Sequence, residues 1–180
     1  MSLMKTENYP AQYESEVTLK NSKTVFVRPI RETDNNLLLE LFDRLKPDSI
    51  YMRFLSRLGS LPEDLLFKLT HIDYMNQFAL AALVKENDKD SIIAVARYSH
   101  EPGDDVTDFA VAVRDDWQGL GLGKSLLLKL LMIGKENGFH HFASVASSSN
   151  KIMKNLVRSL DYPVKYSNKT GATQVELFIP

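Results

Sequence analysis

Val111-Ala-Val-Arg-Asp-Asp-Trp-Gln-Gly-Leu-Gly-Leu-Gly-Lys-Ser-Leu-Leu-Leu-Lys-Leu-Leu131 is the stretch on which the fold turns. It leaves an apolar strand (Phe109 to Val113), crosses a short polar turn and enters a loop with three alternate glycines. A strongly apolar helix follows at once. Gly119, Gly121 and Gly123 allow backbone N–H groups to turn toward one point without interference from a Cβ. The first amides of the helix and its positive dipole end face the same point. Strand, glycine loop and helix start together predict a seat for a phosphate or pyrophosphate. A glycine-rich turn that merely joins strand to helix is the plainer reading of the same residues.

Spacing separates the known phosphate loops. A Walker A loop needs glycine five residues before the glycine of Gly123-Lys124-Ser125, and Gln118 stands there. The dinucleotide fingerprint needs a third glycine at the place of Lys124. Gln118-x-x-Gly121-x-Gly123 instead resembles the Q/R-x-x-G-x-G/A loop of the GNAT N-acetyltransferases. That resemblance implies a loop holding the pyrophosphate of acetyl-CoA.

Length and composition fit one domain. A chain of 180 residues with 44% hydrophobic content can bury a full core. A net charge of −1 gives no electrostatic reason to expect nucleic acid or an anionic membrane. No apolar run approaches the length of a bilayer span, and no secretory signal is visible. The chain has no cysteine, which excludes disulfides and an acyl-cysteine intermediate; a cytoplasmic location is expected. Met1-Ser2-Leu3 before Met4 reads as an expression-vector remnant.

Residues 1–22 are polar and aperiodic and predict a flexible arm, leaving 23–180 as the catalytic domain. Thr24 to Ile30 alternates as a first strand ended by Pro29. Thr33 or Asp34 can cap the next helix, whose Leu37, Leu38, Leu41, Phe42 and Leu45 share a face. A second short helix carries Ile50, Tyr51, Phe54 and Leu55, and Leu61-Pro62 starts a third. Gln77 to Val84 and Ser91 to Tyr98 read as a hairpin turning at Glu86 to Asp90, and Val106 to Val113 as the strand feeding the glycine loop. The helix after the loop ends near Asn137, with Gly138 as a left-handed cap. A strand at His140 to Ala146, a helix at Asn150 to Leu160 and two closing strands around Lys169-Thr-Gly complete the chain. The order predicts an α/β domain, a mixed and mostly antiparallel sheet with helices on both faces.

This order and four separated motifs deepen the resemblance. They are Val27-Arg-Pro-Ile-Arg-Glu-Thr-Asp with Ser49-Ile-Tyr-Met-Arg; His71-Ile-Asp-Tyr with Ala79-Leu-Ala-Ala-Leu-Val; Val95-Ala-Arg-Tyr with Asp108-Phe-Ala-Val; and the glycine loop with Asn150-x-x-Met153. The set resembles the catalytic domain of bacterial protein lysine acetyltransferases that modify acetyl-CoA synthetase, a GNAT subfamily. The resemblance implies that acetyl-CoA is held by Gln118, Gly119, Leu120, Gly121, Leu122, Gly123, Lys124 and Ser125. Asn150 and Met153 would meet its pantetheine arm, and Val111, Ala112 and Val113 would offer a backbone N–H to the thioester oxygen. Asn150 as a simple helix cap is the plainer reading, and the two are compatible.

The chemistry needs a base, because a lysine amine with pKa near 10.4 is neutral only about once in two thousand times at pH 7. Without cysteine, direct attack on acetyl-CoA in a ternary complex is the economical route. Relatives carry Glu-Phe-Ala-Val before the loop, so Asp108 is the implied base, one methylene shorter and reaching through a bridging water. A hydrogen-bonded strand-end carboxylate is its alternative, and Glu101, Asp104 and Asp105 are weaker candidates. Many GNAT enzymes place an acidic tyrosine seven residues past the asparagine; here that place holds Val157, with Tyr162 as a possible substitute or simply a core aromatic. The thiolate can then leave unassisted, since thiol pKa lies near 8.5.

No metal is expected. His71, His100, His140 and His141 have no ligand spacing, and Ser147-Ser148-Ser149 lacks the flanks of a nucleophile elbow. The expected function is acetyl transfer to a protein lysine. Acetylation of a small amine or polyamine and a non-catalytic acyl-CoA-binding module remain beside it. Met75-Asn76-Gln77 stands where relatives carry charged residues, which bears on the acceptor.

Overall fold

The computed structural model describes residues 8–54 and 58–180. Met1 to Met4 and Leu55 of the expected second helix lie outside them. The chain runs through β1 (Ser15–Thr18), β2 (Thr24–Pro29), α1 (Asn35–Arg44), α2 (Pro47–Phe54), α3 (Glu63–Thr70), β3 (Gln77–Glu86) and β4 (Lys89–Ser99). It continues through β5 (Thr107–Val113), α4 (Leu122–Glu136), β6 (His141–Ser147), α5 (Lys151–Arg158), β7 (Val164–Lys169) and β8 (Ala172–Phe178). All eight strands form one sheet in the order β1-β2-β3-β4-β5-β6-β8-β7. Every neighbouring pair is antiparallel except β5–β6.

β3 shows why the sheet has two covered faces. Its alternate residues Phe78, Leu80 and Ala82 join the core under α4, while Ala79, Ala81 and Leu83 join the core under α1 and α3. A strand buried on both sides reads as a continuous apolar run, as this one does. Asn87 and Asp88, with φ of 50° and 63°, make the two-residue turn into β4. The register then slips between Ala82 and Leu83, leaving Ile93 as the extra residue. The slip reverses the alternation, so Ile92 meets the α1 side and Ile93 the α4 side. Ile93 and Ala94, adjacent in the chain, thereby share the α4 side.

Two expectations need correction. The described part of the flexible arm is ordered: Ser15–Thr18 pairs with β2, Val17 and Leu19 enter the core, and the Tyr13 ring meets Phe78 edge-on at 5.5 Å. A four-residue edge strand with one buried position is too short to show a period. The expected side-chain cap at Thr33 or Asp34 is also not made. Asp34 turns its carboxylate to Arg28 instead, accepting from Nη1 at 2.7 Å and Nη2 at 2.8 Å. Both partners are buried, so the ion pair ties the end of β2 to the start of α1 with no water to compete.

α4 crosses from β5 to β6 with Leu126, Leu127, Leu130 and Leu131 fully buried. Its close approach to β6 depends on Gly134, where an added Cβ would stand 2.5 Å from Phe142 Cζ. Gly134→Ala would normally strengthen a helix by about 1 kcal/mol, but Phe142 is fully buried and cannot step aside. We expect a net loss of about 1–2 kcal/mol in urea unfolding. Phe142→Leu in the same chain should return part of that loss.

Candidate functional site

The site begins where two strands part. β5 and β6 pair only at Thr107 with Phe142 and at Asp108 with Ala143. Beyond that point β5 stays paired with β4 alone. Arg114 N donates to Ile93 O at 2.8 Å, which fixes the direction of every peptide in β5. Successive residues of an antiparallel strand alternate sides. Ala110 and Ala112 therefore bond toward β4, and the peptide groups of Val111 and Val113 face the gap left by β6. Gln118 Nε2 crosses to Val113 O at 2.9 Å and closes the loop onto the strand end.

The glycine loop adds a second set of open amides. Gly119 and Gly121 take φ of 76° and 87°, a region open chiefly to glycine. Gly123 does not share it: the residue lies in the first turn of α4, so only two of the three glycines make the turn. Ser125 N is the first amide used within the helix, bonding Gly121 O at 3.1 Å. The N–H groups of Leu122, Gly123 and Lys124 thus point out of the helix end, where the dipole favours an anion.

These parts line a cleft of about 600 Å³. Of the residues picked from sequence, Val111, Ala112, Val113, Gln118, Gly119, Gly121, Leu122, Gly123, Lys124, Asn150 and Met153 line it. Leu120, Ser125 and Asp108 do not. Leu120 packs on the core and gives its carbonyl to Lys20 N at 3.1 Å, and Ser125 is half-buried. Asn150 caps α5 by accepting Met153 N at 3.0 Å. Its amide nitrogen is the donor left over for another partner.

Sequence reading missed the opposite wall. Ser49, Met52 and Arg53 of α2, Trp117, and Ile152 and Leu156 of α5 all face the cleft. Lys20, at the tip of the β1–β2 hairpin, faces it too, and its side chain passes over the loop 3.5 Å from where a Cβ of Gly121 would be. Lys23 Nζ lies 5.2 Å from the centre of the Trp117 ring. The Arg114-Asp115-Asp116 turn, read only as polar, clamps these parts. Asp115 accepts Lys46 N at 3.0 Å and Ser49 Oγ at 2.6 Å, which fixes the start of α2. Buried Arg114 holds Asp116 at 2.7 Å and also bonds Glu86, which bonds Arg44 in turn. Arg114, then Arg44, hold the Glu86 carboxyl down at about 2.

Asp108 sits at the last paired position before the gap, on the same strand face as Ala110 and Ala112. The residue is exposed, yet partial desolvation of its carboxyl, followed by the nearby charges of Asp104 and Glu101, raises its pKa above the ordinary aspartate value. Val157 is fully buried and Tyr162 packs against the core; neither lines the cleft. His140 bonds Ile179 O at 2.8 Å and His141 bonds Glu176 at 2.9 Å. Among the described residues no group of three or more His, Asp or Glu could hold a metal ion, and no helix is long and apolar enough to cross a membrane.

Comparison with known proteins gives this cleft its family. Residues 40–162 match the acetyltransferase (GNAT) family. Acetyltransferase PA5475 of Pseudomonas aeruginosa is 32% identical over 158 residues, covering 88% of this chain and 84% of that protein. The GNAT domain of S. lividans PAT superposes with a TM-score of 0.85 at 27% identity, over 95% of this chain and 99% of that one. The yncA protein of Salmonella typhimurium, solved with its cofactor acetyl-CoA, shares the fold with a TM-score of 0.67 at 18% identity, over 87% of this chain and 94% of that one. The chain belongs to the GNAT acetyltransferase family.

The loop geometry separates its glycines. A side chain in the left-handed region costs about 1–2 kcal/mol, so Gly121→Ala should weaken acetyl-CoA binding roughly tenfold by calorimetry. At Gly123 a Cβ would meet Val113 Cγ2 at an ordinary 3.6 Å, and Gly123→Ala should bind nearly as the parent does. Lys20→Ala should weaken binding most at low salt, where its charge is least screened.

Proposed function

We propose that this GNAT acetyltransferase moves the acetyl group of acetyl-CoA to a primary amine, foremost the ε-amine of a protein lysine. The observation that carries this reading is the gap between β5 and β6, flanked by outward peptides of Val111 and Val113 and by the open end of α4. A thioester laid along β5 meets a ladder of peptide groups in place of the missing strand. The pyrophosphate then reaches the amides of Leu122 to Lys124, with Lys20 and Lys124 supplying positive charge. Asn150 and Met153 flank the path of the pantetheine arm.

In this reading the amine nitrogen attacks the thioester carbon. A Val111 or Val113 N–H stabilises the oxyanion that forms. The amine proton passes along a file of several waters to Asp108, which lies four residues before Ala112, about 13 Å along the strand. The tetrahedral intermediate collapses, the C–S bond breaks, and CoA leaves as a thiolate that takes a proton from water. Val157 cannot give that proton, and a thiol pKa near 8.5 makes unassisted departure tolerable. Asp108 is exposed and outside the cleft lining, so a lysine on a protein surface could reach it from solvent. That exposure, with the likeness to PAT, favours a protein acceptor over a small amine.

The test is thiol release from acetyl-CoA with lysine-bearing proteins and with small amines, in the parent and in Asp108→Asn. Asp108 works only when ionised and its pKa is raised, so kcat/KM should fall as pH drops through a value above the ordinary one. The variant should lose about 10²–10⁴-fold in rate and this acid limb with it. A raised carboxyl pKa also means that the folded protein holds the proton better than the unfolded chain, so ionisation opposes folding as pH rises. Asp108→Asn should therefore melt no lower than the parent at neutral pH. Equal turnover in both proteins would reject Asp108 as the base.

A further inference from the structure

Beside the cleft lies a small pocket of about 50 Å³ with two arginines in its wall. Arg97 comes from β4 and Arg53 from α2, and aliphatic side chains supply most of the rest. The pocket shares Leu45, Arg53 and Ala112 with the cleft, so the two adjoin on the α1 side of β5. Arg97 Nη2 donates to Leu69 O, a neutral carbonyl, at 2.7 Å. No ion pair among the described residues involves Arg97. Burial lowers its pKa to about 9, with the Arg53 charge acting in the same direction, and burial lowers that of Arg53 to about 10.

Contrast two more deeply buried arginines. Arg28 has Asp34, and Arg114 has Asp116 and Glu86. Among the described residues, Arg97 has a peptide oxygen and the field of a second cation. A desolvated guanidinium is costly without a charged partner. Its planar fork is shaped to take a carboxylate through two parallel bonds. The position is as telling as the charge. Ala112, in the shared wall, is flanked by Val111 and Val113, whose peptides face the gap.

We propose that the Arg53–Arg97 pocket is a carboxylate subsite, filled by a carboxylate borne a few bonds from the reacting centre. Building on the acetyl-transfer reading, it adds a selectivity that acetyl-CoA and a plain amine do not use. The carboxylate can come from the donor, as the far end of a dicarboxylic acyl-CoA, or from the acceptor, as an acidic group beside its amine. The pocket has room for a small polar group, since a cavity of about 10–15 Å³ already admits a water molecule.

Two matched pairs distinguish the sources. Succinyl-CoA against acetyl-CoA tests the donor, and lysine peptides with Glu or Gln beside the acceptor lysine test the acceptor. In one pair the carboxylate member should be favoured at least about tenfold in kcat/KM, the scale of a charge-assisted bidentate contact. Arg97→Gln should bring that ratio near one, and Arg97→Lys should keep part of it. Independently of turnover, succinate but not succinamide should raise the melting temperature of the CoA-bound protein, and Arg97→Gln should abolish the rise. Absence of turnover with every acceptor would sink the transfer reading and leave the succinate shift to judge the pocket. No preference in either pair with no shift, or a preference that survives Arg97→Gln, would overturn the subsite.

Discussion

The site proposed here depends on β5 and β6 pairing for two residues and then separating. A strand inside a sheet normally spends its peptide groups on both neighbours, and an unpaired edge in the middle of a sheet leaves them unsatisfied. Here the open edge is short and belongs to Val111 to Val113. The ends of the gap are held by independent means. α4 fixes β6 through the Gly134–Phe142 approach, and the Arg114-Asp115-Asp116 turn fixes β5 to β3 and α2. The gap is therefore a built distance, and not a frayed end.

Much of this was legible because it is local. Strand, glycine loop and leucine-rich helix follow one another in the chain, and each has its own periodicity or turn chemistry. The Asn150 cap and the Gly138 turn, at φ of 91°, are likewise written in adjacent residues. What stayed hidden depends on partners far away in sequence. Nothing near Asp34 announces that its carboxylate belongs to Arg28. Nothing near Arg114 names Glu86. The extra residue at Ile93 is visible only once Ala82 and Ala94 are paired. Spacing also overcounted: three alternate glycines looked equivalent, yet Gly123 takes an ordinary place in a helix. The candidate site was read along one wall, the one made from consecutive residues, while α2 and the hairpin tip had no signal of their own.

Charge on the α1 side of β5 is divided along the strand. Asp108 lies among Asp104 and Glu101, which disfavour its ionised form. Toward Ala112 the neighbours are Arg97 and Arg53, where burial, and then the charge of Arg53, disfavours the charged form of Arg97. Like-charge groups concentrated at the two ends of one short strand are unfavourable for the empty protein. A bound amine near the first group and an anion near the second would relieve both. Such sites are commonly less stable than the framework that holds them.

The β1–β2 hairpin carries a consequence for how the domain is delimited. The family pattern spans residues 40–162, yet Lys20 and Lys23 reach the loop from well before it. The hairpin touches the loop through main-chain atoms, Lys20 N to Leu120 O, so its presence is not written in any particular side chain. A fragment trimmed to the pattern would keep every residue by which the family is known and discard one lip of the seat proposed for the cofactor. Recognition and occupancy have different borders in this molecule.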